Sequence, residues 1–132
     1  MYGFQSVLLL LGRVGLALSF FFLAYQKITH WDETVNYLTT WGVPETAMVL
    51  FVATLIEVFG AISLVLGIKV RYVAGLLALY LIPYTVLFHG YWYFVGTDIA
   101  LHTILLLHAL ALFGGLLYVS VTGAGSFALD RE

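Results

Sequence analysis

The sequence predicts an all-α integral membrane protein, a four-helix antiparallel bundle with a short interfacial helix between helices one and two. Three observations predict this fold class. Of 132 residues, 63% are hydrophobic and only 9% are charged, whereas a soluble domain carries about 25% charged residues. Four apolar stretches reach the ~20 residues that a helix needs to cross the hydrocarbon core. Two of the connections are short, which favours antiparallel neighbours.

The first two spans are predicted at about 5–26 and 46–67. In the first span the positive charge, Arg13, lies in the middle of the apolar run. A signal peptide has its positive charge ahead of that run, so we interpret this segment as a retained transmembrane helix. Pro44 comes just before the second span, where proline is tolerated at a helix start.

The third and fourth spans are predicted at about 71–92 and 98–121, with Asp98 as N-cap of the fourth. The second link, at 67–71, and the third link, at 95–97, are both short. Because short links join antiparallel neighbours, the chain is expected to form a single transmembrane domain over residues 1–132.

The first link is longer, and its segment at about 30–42 has apolar residues at roughly helical spacing. These residues are Trp31, Val35, Leu38 and Trp41, interleaved with Asp32, Glu33 and Asn36. The pattern is typical of an amphipathic helix that lies in the membrane interface. A cap packed over the mouth of the bundle explains the same pattern equally well.

Four spans place both termini on one side of the membrane, together with the second link. That side carries Lys69, Arg71 and Arg131, while the other carries Lys27 with Asp32, Glu33, Glu45 and Asp98. Lysine and arginine favour the cytoplasmic side, so both termini are expected in the cytoplasm of a bacterial cell, with the chain multi-pass in the inner membrane.

Three ionisable residues lie well inside the predicted spans: Arg13, Glu57 and His108. A charged side chain at the centre of a span costs roughly 2.5–3.5 kcal/mol on insertion scales. A rise of ~1.5 Å per residue brings all three to a similar depth. We predict a buried polar centre of Arg13, Glu57 and His108, in which Arg13 and Glu57 form an ion pair and one hydroxyl, of Tyr80 or Tyr84, completes the centre. Such a centre is either a ligand or proton site or an architectural salt bridge that fixes helix register.

Four further residues are predicted near the outer mouth of a cavity: Lys27, His89, Trp92 and His102. For Lys27 the favoured interpretation is a lysine that snorkels to the headgroups, and the alternative is a cation at the cavity mouth. Two histidines on facing helices could bind haem. A hydrogen-bonded helix contact is the commoner role, so neither haem nor a metal site is predicted.

Composition excludes other classes of function. There is no cysteine, so the chain has no disulfide, thiol relay or thiolate metal site. The formal net charge is −2 and no basic patch is visible, which argues against nucleic-acid binding.

A series of short motifs, in order along nearly the whole chain, resembles the DoxX family of small four-helix bacterial membrane proteins. The motifs are Arg13-Val-Gly15 with Lys27, Trp41-Gly42-Val-Pro44, Glu57-Val-Phe-Gly60, Gly67 with Arg71, Phe88-His89-Gly-Tyr91-Trp92, Gly114-Gly115-Leu-Leu and Gly123-Ala-Gly125-Ser126-Phe-Ala-Leu129-Asp130. Many similar proteins have Lys-Asn where this chain has His108-Ala109. That departure suggests an altered partner for Glu57.

The resemblance implies several functions. Members of the family are linked to thiosulfate:quinone oxidoreductase, to oxidative-stress complexes with soluble partners, to methylamine dehydrogenase maturation and to cargo sorting. Fold does not decide among these. The leading hypothesis is a component of a redox- or quinone-linked membrane complex, with quinone as the candidate cofactor and with protein partners. The alternatives are a binding and sorting module for a small molecule, a lipid or a membrane partner, and a quinone-linked oxidoreductase subunit. The sequence does not decide whether the chain forms homo-oligomers.

Overall fold

The protein is an all-helical membrane bundle in the computed structural model, which describes residues 2–89 and 97–130. The helices are α1 (Tyr2–Thr29), α2 (Trp31–Thr40), α3 (Thr46–Leu66), α4 (Val70–His89) and α5 (Thr97–Thr122). Every regular element in the described residues is helical, which confirms the predicted fold class. The predicted end of the third span and most of the third link lie outside the described residues, as does the side chain of Asp98.

Three segments are long and apolar enough to cross a bilayer: Gly3–Thr29 in α1, Thr46–Leu66 in α3 and Thr103–Thr122 in α5. The fourth helix contributes a shorter apolar stretch, Val70–Val86. These helices expose large apolar side chains such as Phe51, Phe59, Leu79 and Leu110. An exterior of this kind is suited to hydrocarbon rather than to water.

The bundle consists of two closely packed helix pairs, α1 with α3 and α4 with α5, and α3 also contacts α4. Alanine and leucine dominate the core between the helices: Ala17, Phe20, Ala61, Leu64, Ala74, Leu77, Leu81 and Leu116 are buried. Gly60 lets α3 approach α4 closely, because a Cβ there would lie 2.7 Å from a methyl carbon of Leu77. Small residues at such contacts are a general feature of membrane helices.

The link between α3 and α4 turns at Gly67, which has a φ of 76° and closes α3 as a left-handed C-cap. Its backbone N–H donates to the carbonyl of Ser63 at 2.8 Å. Glycine adopts this conformation without the steric penalty of a Cβ. The turn therefore brings α4 back beside α3, as the short link predicts.

The amphipathic helix α2 covers the end of α1 and the start of α3. Leu38 is buried against the bundle, while Asp32 and Glu33 in the first turn are exposed. A hydrogen bond of 3.0 Å between the hydroxyls of Thr39 and Thr46 joins α2 to α3. The predicted helical segment between the first two spans is present, and its apolar side packs onto the bundle.

After α5 the chain turns back towards the end of α3, a feature that the sequence analysis did not predict. The backbone N–H groups of Leu129 and Asp130 donate to the carbonyls of Leu66 and Gly67 at 3.0 and 3.1 Å. This C-terminal tail, residues 123–130, therefore pairs with backbone groups that the end of α3 leaves without a helical partner.

Candidate functional site

A buried ion pair joins α1 to α3. The Nζ atom of Lys27 lies 2.6 Å from Oε1 and 3.0 Å from Oε2 of Glu57. The side chain of Lys27 is 5% exposed and that of Glu57 is 0% exposed. Since an isolated charge in hydrocarbon is costly, the two side chains compensate each other within the membrane.

Two tyrosines from α4 complete this cluster. The Tyr80 hydroxyl donates to Oε1 of Glu57 at 2.8 Å. The ammonium of Lys27 lies 4.5 Å from the ring centroid of Tyr84, within the range of a cation–π contact. Tyr80 and Tyr84 are one helical turn apart, with ring centroids separated by 5.8 Å. These four residues therefore connect α1, α3 and α4 through side-chain contacts.

The local sequence explains how each element presents its side chain. In α3, Glu57 lies on the buried face that also contains Thr54, Gly60 and Ala61. Lys27 lies in the last turn of α1. Pro83 is inside α4, between the two tyrosines, where it removes one backbone hydrogen-bond donor.

A pocket of about 230 Å³ adjoins the ion pair. Apolar side chains of α2, α3 and α4 line most of it, and Lys27, Tyr80 and Tyr84 line the end nearest Glu57. The apolar lining consists of Leu38, Val49, Leu50, Val52, Ala53, Ile56 and Pro83. We call this space the headgroup pocket. An apolar cavity with a few convergent polar groups is the usual form of a small-molecule site.

The predicted pairing of Arg13 with Glu57 is wrong. The Arg13 guanidinium donates to the carbonyl of Leu64 at 2.8 Å and to that of Phe127. Arg13 is nonetheless buried, with 1% exposure. Its position nearer the start of α1 brings it to the end of α3, where a carbonyl that lacks a helical partner accepts from one of its two terminal nitrogens.

His108 also does not join the predicted centre. It is exposed on α5 and lines a separate cleft together with Ser19 and Tyr84. In this chain Glu57 is paired with Lys27 and not with a residue at 108 or 109. Tyr84 lines both the cleft and the headgroup pocket.

The favoured interpretation of Lys27 as a snorkelling lysine is wrong, because its ammonium turns inward to Glu57. The alternative placed Lys27 at a cavity, and it does line the headgroup pocket. The segment that forms α2 contributes Leu38 to the same pocket. Trp92 and the side chains of His89 and His102 lie outside the described residues.

The fold and this cluster define a small multi-pass helical membrane protein with an ion pair buried between its spans. The chain belongs to the DoxX family, whose model matches residues 8–90. The family predicted from the sequence motifs is thereby confirmed.

Two relatives from Escherichia coli strain K12 match almost the whole chain. Inner membrane protein YphA is 32% identical over 128 residues, which cover 97% of this chain and 91% of the relative. Inner membrane protein YqjF is 25% identical over 127 residues, which cover 96% of this chain and 92% of the relative. No solved structure matches the chain significantly.

Proposed function

We propose that this DoxX-family protein binds the polar head of a lipid-soluble molecule of the quinone class, as a component of a redox-linked complex in the bacterial inner membrane. One observation carries this proposal: the buried Lys27–Glu57 ion pair lies next to an apolar pocket whose lining includes Lys27 together with Tyr80 and Tyr84. The two relatives support the inner membrane as the location.

The chemistry of the pocket suits a quinone and its reduced form. An ammonium and a phenol hydroxyl can donate to a quinone carbonyl, while a carboxylate can accept from a quinol hydroxyl. Lys27 and Tyr80 each place such a donor within hydrogen-bonding distance of the Glu57 carboxylate. The ring of Tyr84 on the pocket wall offers a flat surface for stacking.

The size of the pocket also favours a ligand that is only partly enclosed. Its volume of about 230 Å³ is below the ~300–1,000 Å³ of sites that enclose a drug-sized molecule. Val49 and Val52 line the pocket and are also exposed on the outside of α3. We infer that a ring enters from the bilayer between helices and that an isoprenoid tail stays in lipid.

The chain acts in this proposal as a binding component rather than as a self-contained redox enzyme. It has no cysteine for thiol redox chemistry. A partner protein would therefore supply or remove electrons at a quinone bound here. The basic residues Lys69, in the link between α3 and α4, and Arg71, in the first turn of α4, support cytoplasmic placement of that link and of both termini.

Photolabelling of the protein in lipid nanodiscs tests the proposal. An azidoquinone probe is expected to label peptides of α3 and α4 around the headgroup pocket, and excess decylubiquinone should prevent that labelling. Ala53→Phe fills the pocket and should abolish protected labelling. Ala47→Phe places the same side chain on the exposed surface of α3 and should leave labelling intact.

Two outcomes would contradict quinone binding. Labelling that decylubiquinone does not reduce, or that is equal in the Ala53→Phe and Ala47→Phe proteins, would show only partition of the probe into lipid. Protection by an added fatty acid but not by decylubiquinone would instead favour the alternative, a lipid-binding or sorting module without a redox role.

A further inference from the structure

A second cavity lies on the other side of Tyr84, in a cleft between α1 and α5. Its volume is about 600 Å³, and its walls come from α1, α4 and α5. The walls are mainly leucine, alanine and phenylalanine, with Ser19 from α1, Tyr84 from α4 and His108 from α5 as the residues that carry polar groups. This volume falls within the ~300–1,000 Å³ typical of small-molecule sites.

His108 is the unexplained residue of this cleft. It lies within the apolar segment Thr103–Thr122, about 16 Å along α5 from its start at a rise of ~1.5 Å per residue. The imidazole is exposed, and none of the side chains and carbonyls that the structure describes forms a hydrogen bond with it. An imidazole at membrane depth needs a hydrogen-bonding partner, because lipid chains provide none.

We propose that the α1–α5 cleft binds a second lipid-soluble molecule, one with a long apolar body and a hydroxyl group that hydrogen-bonds to His108. A neutral imidazole has one accepting and one donating nitrogen, so it can accept from a hydroxyl. The apolar walls would enclose the body of the molecule. This site is separate from the headgroup pocket and does not depend on quinone binding there.

A second copy of this chain explains the cleft less well. The side chains that the spans expose are mostly leucine, phenylalanine, valine and isoleucine. Those four kinds of side chain cannot hydrogen-bond to an imidazole, and the strongly exposed tyrosines, Tyr25, Tyr72 and Tyr118, lie nearer the ends of their helices than His108 does. The cleft also has walls from three helices and a volume of about 600 Å³, whereas helix pairing generally uses small residues at a close contact.

Photolabelling with a matched pair of probes tests this site in nanodiscs. One probe is a diazirine-bearing hexadecanol, and the other is the corresponding alkane without the hydroxyl. The alcohol is expected to label the cleft segments of α1 and α5 several-fold more than the alkane. His108→Leu should remove that excess, while His30→Leu, which changes an exposed histidine before α2, should not.

A second pair of variants tests whether the probe binds within the α1–α5 cleft. Ala111→Phe fills the cleft without changing His108, so it should abolish labelling there. Ala100→Phe makes the same change at an exposed position of α5 that does not line the cleft, and labelling should persist. Azidoquinone labelling of the headgroup pocket should continue in Ala111→Phe, which separates the two sites.

Equal labelling of the cleft by the alcohol and the alkane would overturn the proposal, because it would show that lipid chains fill the cleft. Labelling by the alcohol that persists in His108→Leu would overturn it as well. Cross-linking of two copies through α5 that excludes both probes would show that the cleft is a protein interface.

Discussion

The ammonium of Lys27, in the last turn of α1, approaches Oε1 of Glu57 in α3 to 2.6 Å. Removing one partner of a buried ion pair leaves an uncompensated charge and typically costs about 3–5 kcal/mol. We therefore expect Lys27→Met to lower the free energy of unfolding by that amount. The double variant Lys27→Met/Glu57→Leu should recover most of the loss, as measured by SDS titration in mixed micelles.

The exposed ion pair between Lys69 and Asp130 provides the control for this experiment. Its side chains are 63% and 32% exposed, with 3.5 Å between the charged atoms. Surface pairs of this kind contribute about 0–1 kcal/mol, so Lys69→Ala should change stability little. If the double variant loses as much stability as Lys27→Met and Glu57→Leu do together when each is measured alone, the Lys27–Glu57 contact does not stabilise the fold.

Tyr80→Phe removes the hydroxyl that donates to Glu57 at 2.8 Å and leaves the ring in place. A hydrogen bond to a charged group contributes about 1.5–3 kcal/mol, so the same titration should show a loss in that range. Tyr118→Phe is the matched control, because Tyr118 is 77% exposed on α5. Equal stability of the two variants would contradict a bond between Tyr80 and the carboxylate.

Arg13→Lys should release the C-terminal tail from the bundle. The guanidinium bridges the carbonyls of Leu64 in α3 and Phe127 in the tail. A single ammonium does not reproduce the forked geometry of arginine. Hydrogen exchange should therefore become faster at the amides of Leu129 and Asp130, which pair with the end of α3.

Unchanged protection of those two amides would show that Arg13 does not hold the tail. Lys69→Ala is the appropriate comparison, since it weakens the exposed contact with Asp130 and leaves Arg13 intact. We expect exchange in that protein to stay close to the wild-type rate.

Gly67→Ala should strongly destabilise the fold, because Gly67 forms the turn between α3 and α4. The residue has a φ of 76°, and an added Cβ would lie 2.5 Å from the Cβ of Ala128. Alanine at a positive φ costs more than about 1 kcal/mol before such a clash is counted. Gly12→Ala is the control, because an added Cβ there meets nothing within 4 Å. Thermal unfolding in detergent should separate the two variants, and equal midpoints would contradict the turn geometry.

The sequence was sufficient to predict the fold class because its signals are local and strong. Runs of apolar residues mark the long helices, and the amphipathic pattern around Leu38 marks α2. The inward position of Glu57 followed from small residues on its side of α3. Its contact with Tyr80 matched the expectation that a tyrosine hydroxyl completes the polar centre.

The partner of Glu57 could not be identified in the same way. Helical spacing shows which residues share a face, but it does not show how far two helices are shifted along their axes. Arg13 and Lys27 are both cations of α1, and the shift between α1 and α3 brings Lys27, not Arg13, to the carboxylate. The tail of residues 123–130 has no helical periodicity, so its return to α3 gave no sequence signal.

Solid-state NMR in liposomes offers the most direct test of the proposed site, because it can measure the distance between the Nζ nitrogen of Lys27 and the carboxyl carbon of Glu57. We expect strong dipolar coupling between these atoms, consistent with the 2.6 Å contact to Oε1. Addition of decylubiquinone should shift the Nζ resonance in wild-type protein and in Ala47→Phe, but not in Ala53→Phe. Absence of the coupling, or a resonance that saturating decylubiquinone leaves unchanged, would contradict a ligand-binding ion pair.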